Sequence, residues 1–248
     1  MKGENRKKSR RWPIPVLVIA LLIAAFLIYT GQYYRAGDVA RSMLESGETV
    51  LVTQTDYGWL FDGPSEGDAL IFYPGAKVEE TAYAPLLHAV AEAGMDACLV
   101  KMPFRLAIFG VNGADRVMAA HDYDRWYIGG HSLGGAMAAS YASGHASRLA
   151  GIVLLAAYSQ KPLDDRLSAI TIYGSEDGIL NRKRLAEGAR NLPEGHREYV
   201  IQGGNHAQFG DYGRQRGDGE AAIPAEEQQR RTAELILEAA STDTGASN

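Results

Sequence analysis

GGHSLGGAM, Gly129–Met137, is the stretch whose reading decides the fold. It contains Gly-x-Ser-x-Gly as Gly130-His131-Ser132-Leu133-Gly134. Alone, so short a pattern arises by chance. Its meaning comes from its flanks, which should be a strand before and a helix after. RWYIGG (Arg125–Gly130) reads as the strand and LGGAMAASYASG (Leu133–Gly144) as a small-residue helix. A serine between them sits on a sharp, unfavourable turn. Gly130 and Gly134 remove the side chains that would collide there. The hydroxyl then stands at a helix N-terminus, where backbone N–H groups face an anion.

Outward from this turn the chain alternates. Glu48–Gly63 reads as two strands around a turn. ALIFY (Ala69–Tyr73), DACLVKM (Asp96–Met102), AGIVLLAAY (Ala150–Tyr158), SAITIYG (Ser168–Gly174) and EYVIQGG (Glu198–Gly204) read as further strands. Helices are expected over Tyr83–Gly94, Val111–His121, residues 181–192 and Pro224–Ala240, the last opened by its proline. Short apolar runs alternating with helices imply an α/β fold, a mostly parallel sheet with helices on both faces.

An activated serine needs a base, and the base an orienting acid. In such a fold they follow the serine in the order acid, then histidine. His145 lies in the polar end of a helix and His196 precedes a strand. His206, in GGNHAQFG, directly follows one, at the carboxyl end where ligands bind in open α/β sheets. Asp177, in YGSEDG, follows another, with Glu176 as the fallback. Ser132, Asp177 and His206 therefore form the expected catalytic set.

FYPGAKV, GGHSLGG, IYGSEDG and GGNHAQFGDYG together resemble the α/β-hydrolase superfamily, and more narrowly a bacterial membrane-anchored, esterase-like branch. The likeness runs from about Leu51 to the C-terminal helix. It implies an α/β-hydrolase fold and a serine hydrolase acting on a carboxylic ester or related acyl bond, with no cofactor. The backbone N–H of Leu133 should be one oxyanion donor. By resemblance Ala76 supplies the other, with Lys77 as the alternative. Dienelactone hydrolases are relatives, but they carry cysteine where this chain has Ser132, which puts that activity in doubt. The same triad would serve an acyltransferase, and a non-catalytic surface protein could reuse the fold.

About ten residues separate Tyr158 from Ser168, too few for a large cap domain, so an open cleft is expected. Phe104, Leu106, Phe109, Tyr158 and Phe209 are candidates for an acyl pocket, and Lys77, Lys101 and Arg105 for attracting an anionic substrate; ordinary packing and solvated charge are the competing readings. Asp211 and Asp218 lack EF-hand spacing, and no metal is expected. Cys98, the single cysteine, excludes an intramolecular disulfide and a cysteine-rich zinc site, and reads as a small buried hydrophobe.

The chain of 248 residues carries a net charge of −5. Six basic residues against Glu4 put residues 1–11 at +5 and leave the remainder at −10. An acidic body gives no reason to expect nucleic-acid binding. Ile14–Thr30 is free of charge and spans roughly 25 Å as a helix. Trp12, Tyr29, Tyr33 and Tyr34 suit interfacial positions, and the basic cluster predicts a cytoplasmic N-terminus. A cleaved signal peptide and a buried helix are the alternatives. The expected organisation is a basic cytoplasmic head (1–13), a single-pass transmembrane signal-anchor (14–30), a connector (31–47), an extracytoplasmic hydrolase domain (48–240) and a disordered tail (241–248). The expected partners are the membrane, through the N-terminal helix, and a small-molecule or lipid-like acyl substrate. The sequence leaves the oligomeric state open.

Overall fold

A computed structural model describes residues 13–64 and 67–243. The chain divides into two compact units between Tyr33 and Tyr34.

The first unit is helix α1, Pro13–Gly31, whose Val, Leu and Ile side chains are largely exposed. Its 19 residues span about 28 Å at the α-helical rise, just short of a typical hydrocarbon core of about 30 Å. Among the described residues no helix is long and apolar enough to cross a membrane. The expected transmembrane helix at 14–30 is therefore not supported, and the basic head up to residue 12 lies outside the described residues.

The second unit is built on an eight-stranded sheet. Its strands are β1 (Leu51–Gln54), β2 (Gly58–Asp62), β3 (Asp68–Tyr73), β4 (Asp96–Val100), β5 (Arg125–His131), β6 (Gly151–Leu155), β7 (Ser168–Gly174) and β8 (Arg197–Ile201). The spatial order is β1-β2-β4-β3-β5-β6-β7-β8. β1 and β2 form the expected hairpin, and β2 pairs antiparallel with β4. Every other pairing is parallel.

Period-two alternation sorts the side chains between two cores. Leu70 and Phe72 of β3 join the cluster that contains Leu86, Leu87 and Val90 of α3 (Ala84–Glu92) and Ile236 and Ala240 of α7 (Ala225–Asp243). Ile71 and Tyr73 join the opposite cluster, with Val117 of α4 (Gly113–Ala120) and Ala138, Ala139 and Ala142 of α5 (Leu133–His145). Both faces of the central strands are buried, which explains their unbroken apolar runs. Cys98 belongs to the second cluster, and burial pushes its thiol up to about 12, so it is the inert small residue expected.

The connector is less of a connector than its polarity suggests. It holds a short helix, α2 (Asp38–Ser42), and it pairs with the loop after β3. Tyr34 donates its N–H to the Lys77 carbonyl at 2.8 Å, and its own carbonyl accepts from Glu79 at 2.8 Å. Asp211 pins the other end by accepting from Ala40 N–H at 2.8 Å. The tail begins later than expected, since α7 runs to Asp243, and residues 244–248 lie outside the described residues.

After β3 the chain crosses to β4 on one side and returns as β5 on the other. This reversal opens a crevice at the carboxyl ends of β3 and β5, the usual ligand position in open α/β sheets. The segment from 156 to 167, between β6 and β7, contains no helix or strand and no cap domain.

Helix α5 approaches this crevice more closely than an ordinary helix could. A Cβ on Gly134 would lie 2.1 Å from the Tyr73 carbonyl oxygen and 2.4 Å from that of Pro74, and one on Gly130 would lie 2.5 Å from Tyr73 O. These obstacles are backbone and cannot swing aside. Gly134→Ala is therefore expected to destabilise the domain by about 3 kcal/mol or more. Thermal unfolding should show a Tm lowered by roughly 6–12 °C.

Candidate active site

Ser132 occupies the turn between β5 and α5 with φ 53° and ψ −121°, a conformation that L-residues with side chains rarely adopt. Its N–H donates to Leu155 O of β6 at 2.9 Å, and its carbonyl accepts from Ala136 N–H at 3.1 Å. The strained residue is thus fixed to the neighbouring strand on one side and to the first turn of α5 on the other. Ala156, just past β6, is a second strained residue at φ 46°, held by its N–H to Ile172 O at 2.8 Å.

Asp177 and His206 follow β7 and β8, which are neighbours with Gly174 opposite Ile201. The loops leaving these strands are joined by backbone bonds from Ser175 N to Ile201 O (3.0 Å) and from Glu176 N to Gly204 O (2.8 Å). That register brings the two side chains together. His206 Nδ1 lies 2.8 Å from Asp177 Oδ2, and both side chains are buried. The other carboxylate oxygen, Oδ1, accepts from Ile179 N–H at 2.8 Å and Leu180 N–H at 2.7 Å.

Burial by itself raises the Asp177 pKa. The hydrogen bond and charge of His206, with the Leu180 and Ile179 amides, outweigh it and hold the carboxyl below its usual value of 3.8. An ionised carboxylate only accepts, so the imidazole must carry its proton on Nδ1. In the neutral ring Nε2 is then the acceptor nitrogen. This atom is buried and has no hydrogen-bond partner among the described residues. His206 Nε2 therefore has the properties of a general base without a proton to take.

Ser132 and His206 line one cavity of 330 Å³. Leu133 and Ala156 line it too, and its outer wall is Tyr158, Gln160 and the run Ile179 to Asn181, with Arg184 of α6 (Arg182–Gly188). Asn181 caps α6 by accepting from Arg184 N–H at 3.0 Å.

In the loop after β3, Gly75 N–H donates to Tyr83 Oη at 3.0 Å, Lys77 N–H to Arg105 O at 2.9 Å and Val78 N–H to Gly75 O at 3.4 Å. Ala76 N–H is the one amide of this run with no hydrogen bond among the described residues. As an oxyanion donor Lys77 is thus disfavoured and Ala76 remains available. Leu133 opens α5, where no intrahelical acceptor exists for its N–H.

The expected substrate-pocket residues disperse. Tyr158 lines the cavity. Lys77 does not, and its backbone is turned to φ 58°. Phe104 and Phe109 are about half exposed on two consecutive 3-10 turns, with ring centroids 5.8 Å apart, outside the cavity wall. Phe209 turns inward, because the 3-10 turn that follows His206 drives its ring into the core, 5.4 Å from that of His131.

Two supports escaped the sequence reading. Asp218 accepts from His206 N–H (3.2 Å), Gly178 N–H (3.1 Å) and Gly219 N–H (2.9 Å) with Oδ1, and from Ala207 N–H (2.8 Å) with Oδ2. One carboxylate thus joins the loop of Asp177 to that of His206. His131, beside Ser132, is buried with its ring 4.4 Å from that of His206. Its Nδ1 shares a 2.7 Å hydrogen bond with Tyr83 Oη, the atom that also holds Gly75. Nothing local in the sequence marks either residue. Asp218 lies 41 positions from Asp177, and His131 could as well face solvent.

A model of the alpha/beta hydrolase family matches residues 69–230, and the chain belongs to that family. No curated protein matches the sequence. A membrane phospholipase A described as a bacterial virulence factor aligns at 15% identity and a TM-score of 0.58, over 94% of this chain and 99% of its own. A putative lipase from Acinetobacter baumannii aligns at 12% and 0.57, covering 88% and 97%. A carboxylesterase from Bacillus subtilis aligns at 12% and 0.53, covering 86% and 98%. At such identities the likeness is one of fold.

Two outcomes test this architecture. Asp218→Ala unties the two loops and should lower kcat by about 10- to 100-fold through misplacement of the imidazole, with Tm reduced. Burial, then the nearby His206, hold the His131 pKa well below its ordinary 6.5. The unfolded chain therefore binds a proton below about pH 6.5 that the folded chain refuses, and this share of stability is lost as pH falls through that value. His131→Asn should lower Tm at pH 7 yet lose less between pH 7 and 5 than the parent does, as followed by thermal melts.

Proposed function

We propose that the protein is a serine hydrolase that cleaves a carboxylic ester through an acyl-enzyme. The observation that carries this reading is that His206, buried and bonded to Asp177, lines the same cavity as a serine on a strained strand-to-helix turn. Esterases, carboxylesterases and lipases among the structural neighbours agree with an ester as substrate.

Ser132 Oγ attacks the acyl carbon while His206 Nε2 takes its proton. The carbonyl oxygen becomes an oxyanion facing the N–H groups of Leu133 and Ala76, each such donor being worth about 3–4 kcal/mol in the transition state. The intermediate collapses, the C–O bond to the alcohol breaks, and the alcohol leaves with the proton from Nε2. Water repeats the sequence on the acyl-Ser132, releasing the acid and restoring the serine. Asp177 stays ionised, keeps the imidazole in the Nδ1–H tautomer and offsets its positive charge.

We also propose that the N-terminal segment holds the enzyme at a membrane with its catalytic domain outside the cytoplasm. The support is the basic run before α1 and the exposed apolar side chains of that helix. Fractionation of cells producing the full chain checks it: recovery in the soluble fraction, or protection of the domain from protease added outside, would end this part of the proposal.

The catalytic proposal is tested on the full chain with a fluorophosphonate and a 4-nitrophenyl ester. The adduct should map to Ser132 by mass spectrometry and be lost in His206→Ala. Ser132→Ala should lower kcat by about 10⁴- to 10⁶-fold. Turnover that survives Ser132→Ala would overturn the mechanism.

A further inference from the structure

Arg184 is the one permanently charged side chain among the described residues lining the Ser132–His206 cavity. The setting makes this notable, since the chain as a whole is acidic and no carboxylate lines that wall. Asp177 is turned inward, its oxygens taken by His206 and two amides. The acid nearest in sequence, Glu187, lines an adjoining depression that Arg184, Tyr158 and Gln160 share; its charge acts on Arg184, and Lys183 approaches it at 4.0 Å. Arg184 itself makes no ion pair among the described residues, and its cavity neighbour is the Tyr158 side chain.

Its backbone is held in place. Asn181 caps the turn that carries it, and Asn181 follows Leu180, whose N–H is held by the catalytic carboxylate. The backbone that carries Arg184 thus stands four residues after Leu180, whose N–H is held by Asp177, while the side chain itself is exposed. Within the cavity the polar residues beside it are Gln160, Asn181 and Tyr158, with Glu187 in the adjoining depression, so the cavity wall itself offers hydrogen-bonding groups and a cation but no carboxylate among the described residues. A planar guanidinium is suited to a carboxylate, sulfonate or phosphate oxygen pair.

We infer that the cavity takes esters carrying a negative charge close to the scissile bond, with Arg184 binding the anionic group. This rests on the hydrolase reading and names the substrate class for the same site. Arg184 is a specificity residue that takes no part in the bond changes. It lies on the surface, so its effect has the size of a solvent-exposed ion pair and is screened by salt.

The test uses the full chain and two matched pairs of esters at low ionic strength. One pair places the charge on the acyl side, 4-nitrophenyl butyrate against the mono-4-nitrophenyl ester of succinic acid. The other places it on the alcohol side, phenyl acetate against 4-sulfophenyl acetate. In at least one pair kcat/KM for the anionic member, corrected for the ratio of the two uncatalysed hydrolysis rates, should exceed that for the neutral member by about fivefold, mostly through KM. Added salt should shrink that ratio. Arg184→Gln should bring it to about one, and Arg184→Lys should restore part of it, with folding of both variants followed by circular dichroism. A ratio unchanged in Arg184→Gln, or a parent that prefers the neutral ester in both pairs, overturns the inference while leaving the hydrolase standing. Failure of the folded parent to cleave any of the four esters overturns both.

Discussion

A residue with a side chain held at φ 53° costs about 1–3 kcal/mol, and the surroundings of Ser132 are built to hold it there. Its N–H is bound to β6, its carbonyl to the first turn of α5, and the carbonyls of Tyr73 and Pro74 lie where Cβ atoms on Gly130 and Gly134 would be. Three adjacent strands and one helix are thereby locked around a single turn. The close approach has a second effect. The chain leaving β3 must run over Gly134, which brings the loop bearing Ala76 to the same end of the sheet as the serine.

The other half of the site depends on a different device, the joining of the loops after β7 and β8. Buried polar groups are costly unless paired, and here nearly all are paired. Asp177 is satisfied by His206 and two amides, and Asp218 by four amides. Tyr83 links His131 to the loop at Gly75. The main exceptions at the site are Nε2 of His206 and Nε2 of His131. The first belongs to a residue that lines the cavity together with Ser132. The second belongs to a ring whose pKa burial, then the nearby His206, hold well below the ordinary histidine value.

Residues 34–42 complete the domain from outside the sheet. They pair with the loop after β3 and are capped by Asp211, so the polar segment before β1 is structural support for that loop. The turn bearing Phe104 meets the same loop, where Arg105 O accepts from Lys77 N–H; Phe104, Ile108 and Phe109 stay exposed on their 3-10 turns, and the segment after β6 stays short. The cavity wall is thus made by loops of the sheet itself and by the start of α6.

The local sequence was enough for the elbow, the order of its partners and the layering of the sheet. Ser132 between a strand and a small-residue helix, Asp177 and His206 each just past a strand, and the unbroken apolar runs of β3, β4 and β6 are all signals carried within a few residues. What the sequence left hidden was decided by contacts between distant segments. Asp218 reaches the acid loop across 41 positions, Arg184 enters the cavity because of where α6 packs, and Phe209 faces the core while Phe104 and Phe109 do not. The apolar run at 14–30 announced a helix correctly, while among the described residues no helix is long and apolar enough to cross a membrane. Periodicity and turn chemistry act locally and can be read from a line of residues. The direction of a loop side chain depends on which distant surface covers it, and only the folded chain determines that.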